Sequence, residues 1–270
     1  MVGPGSSNRW LALVGHVGLW FFSLIFLLPL GWVLLRALSS EGQPFSLASM
    51  TFDNFARLIQ GPFGLGLRNS LWVGAGVVAL GLPLAAPLGY ALARYNLGGH
   101  ALRFGVLATQ MLPPIVLALP LFALFRAVGL SGSLGGLIIA YLAFALPFMT
   151  WLLMGFFRTF PRELEEAARV DGAGFLYIFT RIVLPLSAPG LFAAGVMGFL
   201  LSWNEFLLAL LLSGRESQTV PVALSTFITQ RGVLFAQVAA GVVLAVLPVA
   251  LLARIIDRYL VEGLTLGAVK

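Results

Sequence analysis

The sequence predicts an all-α polytopic membrane protein, a bundle of six transmembrane helices. Of its 270 residues, 60% are hydrophobic and only 10% are charged, whereas soluble domains average about 25% charged residues. Long charge-free intervals recur along the chain, and each can cross the roughly 30 Å apolar core of a bilayer as a helix. Since six spans leave only short connections, we expect a single transmembrane domain, residues 1–270.

Arginines bound the first three predicted spans. The intervals from Arg9 to Arg36, Arg68 to Arg94 and Arg103 to Arg126 hold 26, 25 and 22 residues without Asp, Glu, Lys or Arg. A glycine-rich turn precedes the fourth span. The six predicted spans are residues 10–35, 70–93, 104–125, 137–157, 189–212 and 233–253.

The distribution of basic residues predicts the orientation. With the N-terminus inside, ten of the 16 Lys and Arg residues fall in inner segments and six in outer ones. Because Lys and Arg placement sets topology, we expect both termini and the long loop 158–188 in the cytoplasm. The net charge of +6 then reflects orientation. No nucleic acid partner is expected, since no basic run with interleaved aromatic residues occurs.

Several kinds of site chemistry are excluded. Cysteine is absent and the two histidines are far apart, so we expect no thiolate chemistry and no metal site. The chain lacks H-E-x-x-H and G-x-S-x-G, which argues against the rival interpretation of a lipid-modifying membrane enzyme, so no catalytic residues are assigned. The phosphate loop of an ATPase needs a lysine after its glycines. The only lysine is Lys270, so this chain cannot bind ATP in that way.

Glycine and proline are frequent within the second and third spans. Small residues let helices approach closely in lipid, and prolines kink them. These residues indicate either dense packing or closely packed, kinked helices that line a path and move. The pattern alone does not choose between the two.

The loop 158–188 holds four of the ten acidic residues and predicts a short helix. Pro161 suits a first helical position, acidic residues complement the positive N-terminal end, and Gly172 suits the C-terminal stop. Arg162 with Glu166, and Glu165 with Arg169, are predicted i,i+4 ion pairs.

One side of this helix is compatible with docking. On a helical wheel it carries Leu164, Ala167, Ala168 and Asp171, and alanine admits another backbone closely. The residues alone leave two interpretations open: a surface helix that caps its own bundle, or a helix that docks another protein.

The spacing Glu166-Ala167-Ala168, three residues, Gly172, nine residues, Ile182-x-Leu184-Pro185 resembles the EAA signature of ABC importer permeases. In that family the segment is the coupling helix, which docks into a cleft of a cytoplasmic ATPase subunit. The resemblance implies a type I ABC importer permease bundle. The residues to which it assigns ATPase coupling are Glu166, Ala167, Ala168, Asp171, Gly172, Leu184 and Pro185.

Further motifs resemble the carbohydrate branch, the maltose-type permeases. They are Asn69-Ser70, Tyr90-Ala91-Leu92-Ala93-Arg94, Pro113, Trp203-Asn204-Glu205-Phe206 and the tail from Gly263 to Lys270. The lack of a large outer domain resembles the shorter of two paired permease subunits. In this family the outer loops, residues 36–68 and 213–231, face the binding protein.

The resemblance implies a complete importer in a bacterial or archaeal cytoplasmic membrane. Its implied components are a second permease, two cytoplasmic ABC ATPase subunits that bind ATP and Mg²⁺, and an extracytoplasmic sugar-binding protein. This chain would contact membrane lipid and translocate a sugar by alternating access, without a cofactor of its own.

Glu205 is an acidic residue within the fifth predicted span, about 24 Å from its inner end at about 1.5 Å per residue. Such a residue is a functional candidate. It either pairs with an arginine of the partner subunit or snorkels to the outer surface, or it lines a sugar path together with Trp203, Asn204, Ser202 and Gln110. Aromatic faces can stack on sugar rings, and amides can bond hydroxyls.

Two other transport functions remain open. One is an ABC permease for a non-sugar solute such as glycerol phosphate. The other is an ion-driven secondary transporter, which would be expected to carry several intramembrane ionisable residues or an internal repeat.

Overall fold

The structure, a computed structural model, describes residues 6–42, 50–95, 99–111, 113–230 and 232–267. Apart from a two-stranded hairpin, its elements are helices. The chain forms two compact units, Met1–Gln60 with Thr226–Val246, and Gly61–Ser225 with Leu247–Lys270.

The first unit contains two helices, the hairpin and the start of the last helix. These elements are α1 (Ser6–Ala37), α2 (Asp53–Gln60), β1 (Ile228–Thr229), β2 (Gly232–Val233) and the beginning of α13 (Phe235–Gly267). The strands pair antiparallel, with Ile228 opposite Val233.

Side chains close the helix ends within the first unit. Asn54 Nδ2 donates to the carbonyl oxygens of Ala37 (2.9 Å) and Ser39 (2.8 Å) at the end of α1. Glu41 Oε2 accepts from Ala236 N (3.0 Å) at the start of α13. These contacts satisfy backbone groups that a helix leaves unpaired at its ends.

Most apolar side chains of α1 are exposed between residues 13 and 36, where the structure describes them. Trp20 and Phe26 are each 71% exposed. An apolar helix that its own chain does not cover requires lipid or another protein around it.

The second unit holds the main core and the continuation of α13. Its longer helices are α3 (Pro62–Arg94), α4 (Gly99–Met111), α5 (Pro114–Ala127), α6 (Leu134–Thr159) and α10 (Ala188–Trp203). Its shorter elements are α7 (Arg162–Val170), α8 (Phe175–Tyr177), a π-helix (Ile178–Val183), α9 (Leu184–Leu186), α11 (Leu207–Leu212) and α12 (Val220–Ser225).

Packing of α3 against α6 forms the centre of the second unit, and α10 packs on both. The two helices run in parallel and approach closely at Gly89, where a Cβ atom would lie 3.0 Å from Thr150 O and 3.1 Å from Met154 N. Because the neighbouring atoms belong to a helix backbone, they cannot move aside as a side chain could. Glycine therefore permits this contact.

Four helices are long and apolar enough to cross a bilayer over the described residues, namely α1, α3, α6 and α13. A fifth span results if the bent pair Phe175–Leu186 and Ala188–Trp203, whose axes differ by 75°, counts as one. The remaining predicted span, 104–125, falls on α4 and α5.

Proline explains where that predicted span departs from one continuous helix. Helix α4 ends at Met111 and α5 begins at Pro114, with Pro113 extended at φ −60° and ψ 132°. Proline lacks an N–H donor and disfavours helical geometry in the preceding residue. Two consecutive prolines therefore divide the segment.

Candidate functional site

The loop 158–188 contains the short helix expected from the sequence. Helix α7 spans Arg162–Val170, with Pro161 as the flanking N-terminal residue instead of the first helical one. Gly172 adopts a left-handed φ of 86°. Its N–H donates to Arg169 O (3.0 Å), and Ala173 N donates to Ala168 O (2.9 Å). This pair of bonds is the Schellman motif, so Gly172 ends the helix as predicted.

Most of α7 is exposed. Leu164 is 45% and Val170 87% exposed; Glu166, Ala167 and Asp171 are also exposed, and Ala168 is half-buried. The side chosen from the helical wheel is therefore largely accessible in this chain. One predicted ion pair is present, with Arg169 Nη2 lying 3.8 Å from Glu165 Oε2. No ion pair joins Arg162 to Glu166 within the described chain, so that prediction was wrong.

The buried side of α7 carries a charged residue, Glu165, which is 3% exposed. Its Oε1 accepts from Arg94 Nε (2.7 Å), and its Oε2 accepts from the Tyr90 hydroxyl (2.6 Å). Arg94 Nη2 also donates to Phe160 O (2.8 Å). The end of α3, the end of α6 and the inner side of α7 therefore meet at one buried ion pair.

Aromatic packing surrounds this ion pair. The Tyr90 ring lies 5.6 Å from Phe157, 5.9 Å from Phe175 and 5.1 Å from Phe179 between ring centroids. Phe157 belongs to α6, whereas Phe175 and Phe179 follow α7 along the chain. The same tyrosine thus contacts the segments on both sides of α7.

Sequence reasoning missed this cluster, although Tyr90 and Arg94 had been noted as a motif. A local pattern shows that Glu165 can sit on a helix, but it cannot show which distant helix pairs with it. A signal for the pairing was available in the sequence. Tyr90 and Arg94 have i,i+4 spacing and so share one face of the helix. The predicted orientation places their end of the span on the same side of the membrane as the loop 158–188.

The segment after α7 changes helical register before its two prolines. The π-helix precedes Leu184 and Pro185, and Ser187 separates α9 from α10 at the 75° bend. Pro185 and Pro189 cannot donate to the carbonyls one turn before them. Leu184 is half-buried against the core, and Pro185 is exposed.

The fifth predicted span, 189–212, is broken near Glu205. Helix α10 ends at Trp203 and α11 begins at Leu207. Glu205 Oε1 accepts from Leu208 N (3.0 Å) and Oε2 from Ala209 N (3.0 Å). The carboxylate thus satisfies two N–H groups that the break would otherwise leave unpaired within a membrane segment.

A cavity of about 750 Å³ adjoins this break. Asn204 and Glu205 line it together with Thr109 and Phe144. Asn204 Nδ2 donates to Leu200 O (2.9 Å), and the residue is exposed. Two of the residues grouped by the sequence are therefore adjacent at a mostly apolar opening, where they and Thr109 supply the polar groups.

The other path candidates are placed differently. Trp203 is 4% exposed and stacks on Phe199, with ring centroids 5.4 Å apart. Ser202 is buried, and its Oγ donates to the carbonyl oxygens of Gly198 and Phe199 at 3.0 Å. Neither lines the cavity, because consecutive helical residues face different directions. The Gln110 side chain lies outside the described residues.

At the other end of α3, Asn69 and Ser70 hold the segment after α11. Asn69 Nδ2 donates to Glu216 O (2.8 Å) and Gln218 O (2.9 Å), and Ser70 Oγ accepts from Val220 N (2.8 Å). Helix α3 therefore bonds a loop at each of its ends.

The family of the chain follows from its sequence. The family model described as "Binding-protein-dependent transport system inner membrane component" matches residues 81–265. The chain belongs to this family. It is thus the permease component of an ABC importer and lies in the membrane.

Curated relatives of this permease cover nearly its whole length. It is 38% identical over 228 residues to the trehalose transport system permease protein SugB of Mycobacterium tuberculosis, covering 83% of each chain. It is 31% identical over 273 residues to the trehalose/maltose transport system permease protein MalG of Thermococcus litoralis, covering 97% of each.

A solved structure shares the fold of this permease. A chain of a bacterial ABC transporter involved in the import of the acidic polysaccharide alginate superposes with a TM-score of 0.78, at 23% identity, covering 96% of this chain and 99% of that one. The fold of this chain is therefore that of an ABC importer membrane subunit.

Proposed function

We propose that this permease translocates a sugar by alternating access, as the shorter of two different membrane subunits in an ATP-driven importer. The observation that carries the proposal is α7, a polar, exposed helix ended by a Schellman motif on an otherwise apolar chain. Sugar as the substrate class is supported by relatives named for trehalose, maltose, diacetylchitobiose and maltodextrin.

In this proposal the permease has a different partner on each side of the membrane. The loop 158–188 and both termini lie in the cytoplasm, where Glu166, Ala167, Ala168 and Asp171 contact an ATPase subunit. The segment held by Asn69 and Ser70 lies outside and faces a sugar-binding protein. The exposed apolar residues of α1 contact lipid and the second permease.

The proposed mechanism converts closure of the ATPase pair into opening of the spans. Two ATPase subunits bind ATP and Mg²⁺ and approach each other, and their clefts carry the two permeases' coupling helices inward. Gly172, Leu184 and Pro185 maintain the shape of the loop during this movement. Asn204 and Glu205 line the sugar path at the cavity beside the break in the fifth span.

The proposal is tested by disrupting α7 in the assembled importer. Glu166→Lys reverses the charge on the exposed face, and Gly172→Pro places a residue restricted to φ near −65° where φ is 86°. We expect both variants to insert into the membrane, to lose the ATPase from washed vesicles and to lose sugar uptake.

Glu216→Lys is the matched control, because it makes the same charge change on an exposed residue that the proposal places outside. Its vesicles should retain the ATPase. Normal uptake and ATPase retention in both α7 variants would overturn the proposed function.

The sugar is identified in the same preparations. Stimulation of ATP hydrolysis is measured with binding protein loaded with trehalose, maltose, maltodextrin or diacetylchitobiose.

A further inference from the structure

The buried ion pair beneath α7 suggests how movement of this helix reaches α3. The loop 158–188 is covalently joined to α6 before it and to α10 after it. Helix α3 ends at Arg94, 68 positions before Arg162, so a displacement of α7 reaches α3 only through the intervening helices or through non-covalent contacts. Among the direct contacts between α7 and α3 is the buried ion pair of Glu165 and Arg94, at 2.7 Å.

The geometry of this ion pair favours a rigid connection that transmits movement of α7 to α3. The Glu165 and Arg94 side chains are 4% and 5% exposed. One carboxylate oxygen accepts from the arginine and the other from Tyr90, while Arg94 also bonds Phe160 O. A buried ion pair holds its geometry when its hydrogen-bonding groups are satisfied, and removal of one partner leaves an uncompensated charge.

We propose that Glu165 is a positioning residue that joins α7 to α3, so that displacement of α7 moves the α3–α6 pair as one body. The inference rests on the proposed function, because it takes α7 as the helix that the ATPase moves. It assigns Glu165 a role distinct from that of the exposed Glu166. Glu166 faces the partner, whereas Glu165 faces the bundle.

The position of α3 makes this connection consequential. At one end α3 carries Tyr90 and Arg94, and at the other end Asn69 and Ser70 bond the segment 216–220. Next to Tyr90, Gly89 lets α3 approach the backbone of α6 closely. A single helix thus links the inner side of α7 to the opposite end of the second unit.

The test compares docking with transmission in the assembled importer reconstituted in liposomes. Glu165→Gln keeps the size of the side chain and removes its charge. We expect the ATPase to remain bound and basal ATP hydrolysis to be unchanged. Stimulation of hydrolysis by the binding protein should fall about fivefold or more, the lower end of coupling between distant sites. The probe is the binding protein loaded with whichever of the four named sugars stimulates the wild-type importer most.

Glu163→Gln is the matched control, since Glu163 is an exposed acid on the same helix; its stimulation ratio should equal that of the wild type. The double variant Glu165→Gln with Arg94→Gln removes both charges and leaves two amides that can bond each other. It should recover part of the ratio lost by Glu165→Gln. Tyr90→Phe removes one hydrogen bond and keeps the ring packing, so we expect a smaller loss of the stimulation ratio. This variant tests the inference by itself if Glu165→Gln does not fold.

The outcomes separate this inference from the proposed function. An unchanged stimulation ratio in both Glu165→Gln and Tyr90→Phe would overturn the inference. So would loss of the ATPase from Glu165→Gln vesicles, because Glu165 would then act in docking. The proposed function is judged from Glu166→Lys and Gly172→Pro, whose result does not depend on Glu165.

The chain also permits a direct measurement of the connection. It contains no cysteine, so cysteines introduced in place of Val170 on α7 and Leu88 on α3 can be labelled selectively with nitroxides. The two positions are 87% and 41% exposed. We expect one narrow distance distribution in the wild type and a broader one in Glu165→Gln. Equal widths would contradict a rigid connection.

Discussion

Two acidic residues show how single side chains determine structure inside this bundle. Glu165 is satisfied by Arg94 and Tyr90, which come from another helix. Glu205 is satisfied by the backbone N–H groups of Leu208 and Ala209, three and four residues ahead. Each carboxylate oxygen thus accepts a hydrogen bond, which offsets the cost of withdrawing the charge from water.

The break at Glu205 yields a prediction about stability and transport together. Glu205→Gln keeps one carbonyl oxygen and loses the charge, so one of the two capping bonds is lost. We expect the free energy of unfolding to fall by about 1.5–3 kcal/mol, the usual worth of a hydrogen bond to a charged group. Uptake should also fall, because the residue lines the proposed path. Tryptophan fluorescence during thermal unfolding and sugar uptake measure the two effects.

Asn204→Ala separates the path from the cap. Within the described part of the chain, the exposed Asn204 amide bonds a carbonyl of its own helix, so the free energy of unfolding should change by less than about 0.5 kcal/mol. Uptake should still fall about two- to tenfold, the worth of one hydrogen bond of 0.5–1.5 kcal/mol. If both variants transport normally, Glu205 has only the capping role and the path assignment fails.

Residue by residue, local chemistry was predictable and distant pairing was not. Gly172 could be placed from the sequence because a left-handed helix end requires glycine whatever surrounds it. The burial of Glu165 could not, because it depends on the position of Arg94 in another helix. Trp203 and Ser202 were grouped with Asn204 by adjacency, but helical geometry directs their side chains into the bundle.

At the scale of elements, proline and glycine explain most departures from simple helices. The predicted spans 10–35, 70–93 and 137–157 lie within single helices although they contain Pro29, Pro83 and Pro87, and Pro147, because isolated prolines are tolerated in membrane helices. Pro113 and Pro114 divide the third, and the π-helix and bend precede the fifth. Hydropathy indicated apolar length in each case, but it does not report helix continuity.

The end of α7 provides a prediction about one element. Gly172 and Gly174 both have open space where a Cβ atom would lie, but only Gly172 has a left-handed φ, 86° against −76°. Gly172→Ala should destabilise the helix end by about 1–2 kcal/mol, whereas Gly174→Ala should not. Hydrogen–deuterium exchange of residues 160–175 measures the difference.

The expected signal is exchange about five- to thirty-fold faster in Gly172→Ala, which corresponds to that free energy. The amide of Ala173 is the most informative, because it donates the 2.9 Å bond that closes the Schellman motif. Equal exchange in the two alanine variants would show that the left-handed turn does not stabilise α7.

At the scale of the whole molecule, the question is which energy source drives movement. An ion-driven transporter needs intramembrane ionisable groups that can bind and release an ion. Glu205, at the break in the fifth predicted span, accepts hydrogen bonds from two backbone N–H groups, and Glu165, on α7 in the loop 158–188, pairs with Arg94 and Tyr90. These acids are committed to structure, whereas α7 offers an exposed surface through which a separate ATPase can act.

We therefore expect transport to depend on ATP hydrolysis and not on an ion gradient. Liposomes that contain the assembled importer and ATP on the ATPase side should accumulate sugar. Replacement of ATP by a non-hydrolysable analogue should reduce accumulation to background, because the ATPase pair cannot then reopen. Collapse of proton and cation gradients with ionophores should leave the initial rate unchanged. Uptake that persists with the analogue and is lost with the ionophores would instead support ion coupling. The transporter would then need a proton- or cation-binding group other than Glu205 and Glu165, whose carboxylates are hydrogen-bonded within the protein.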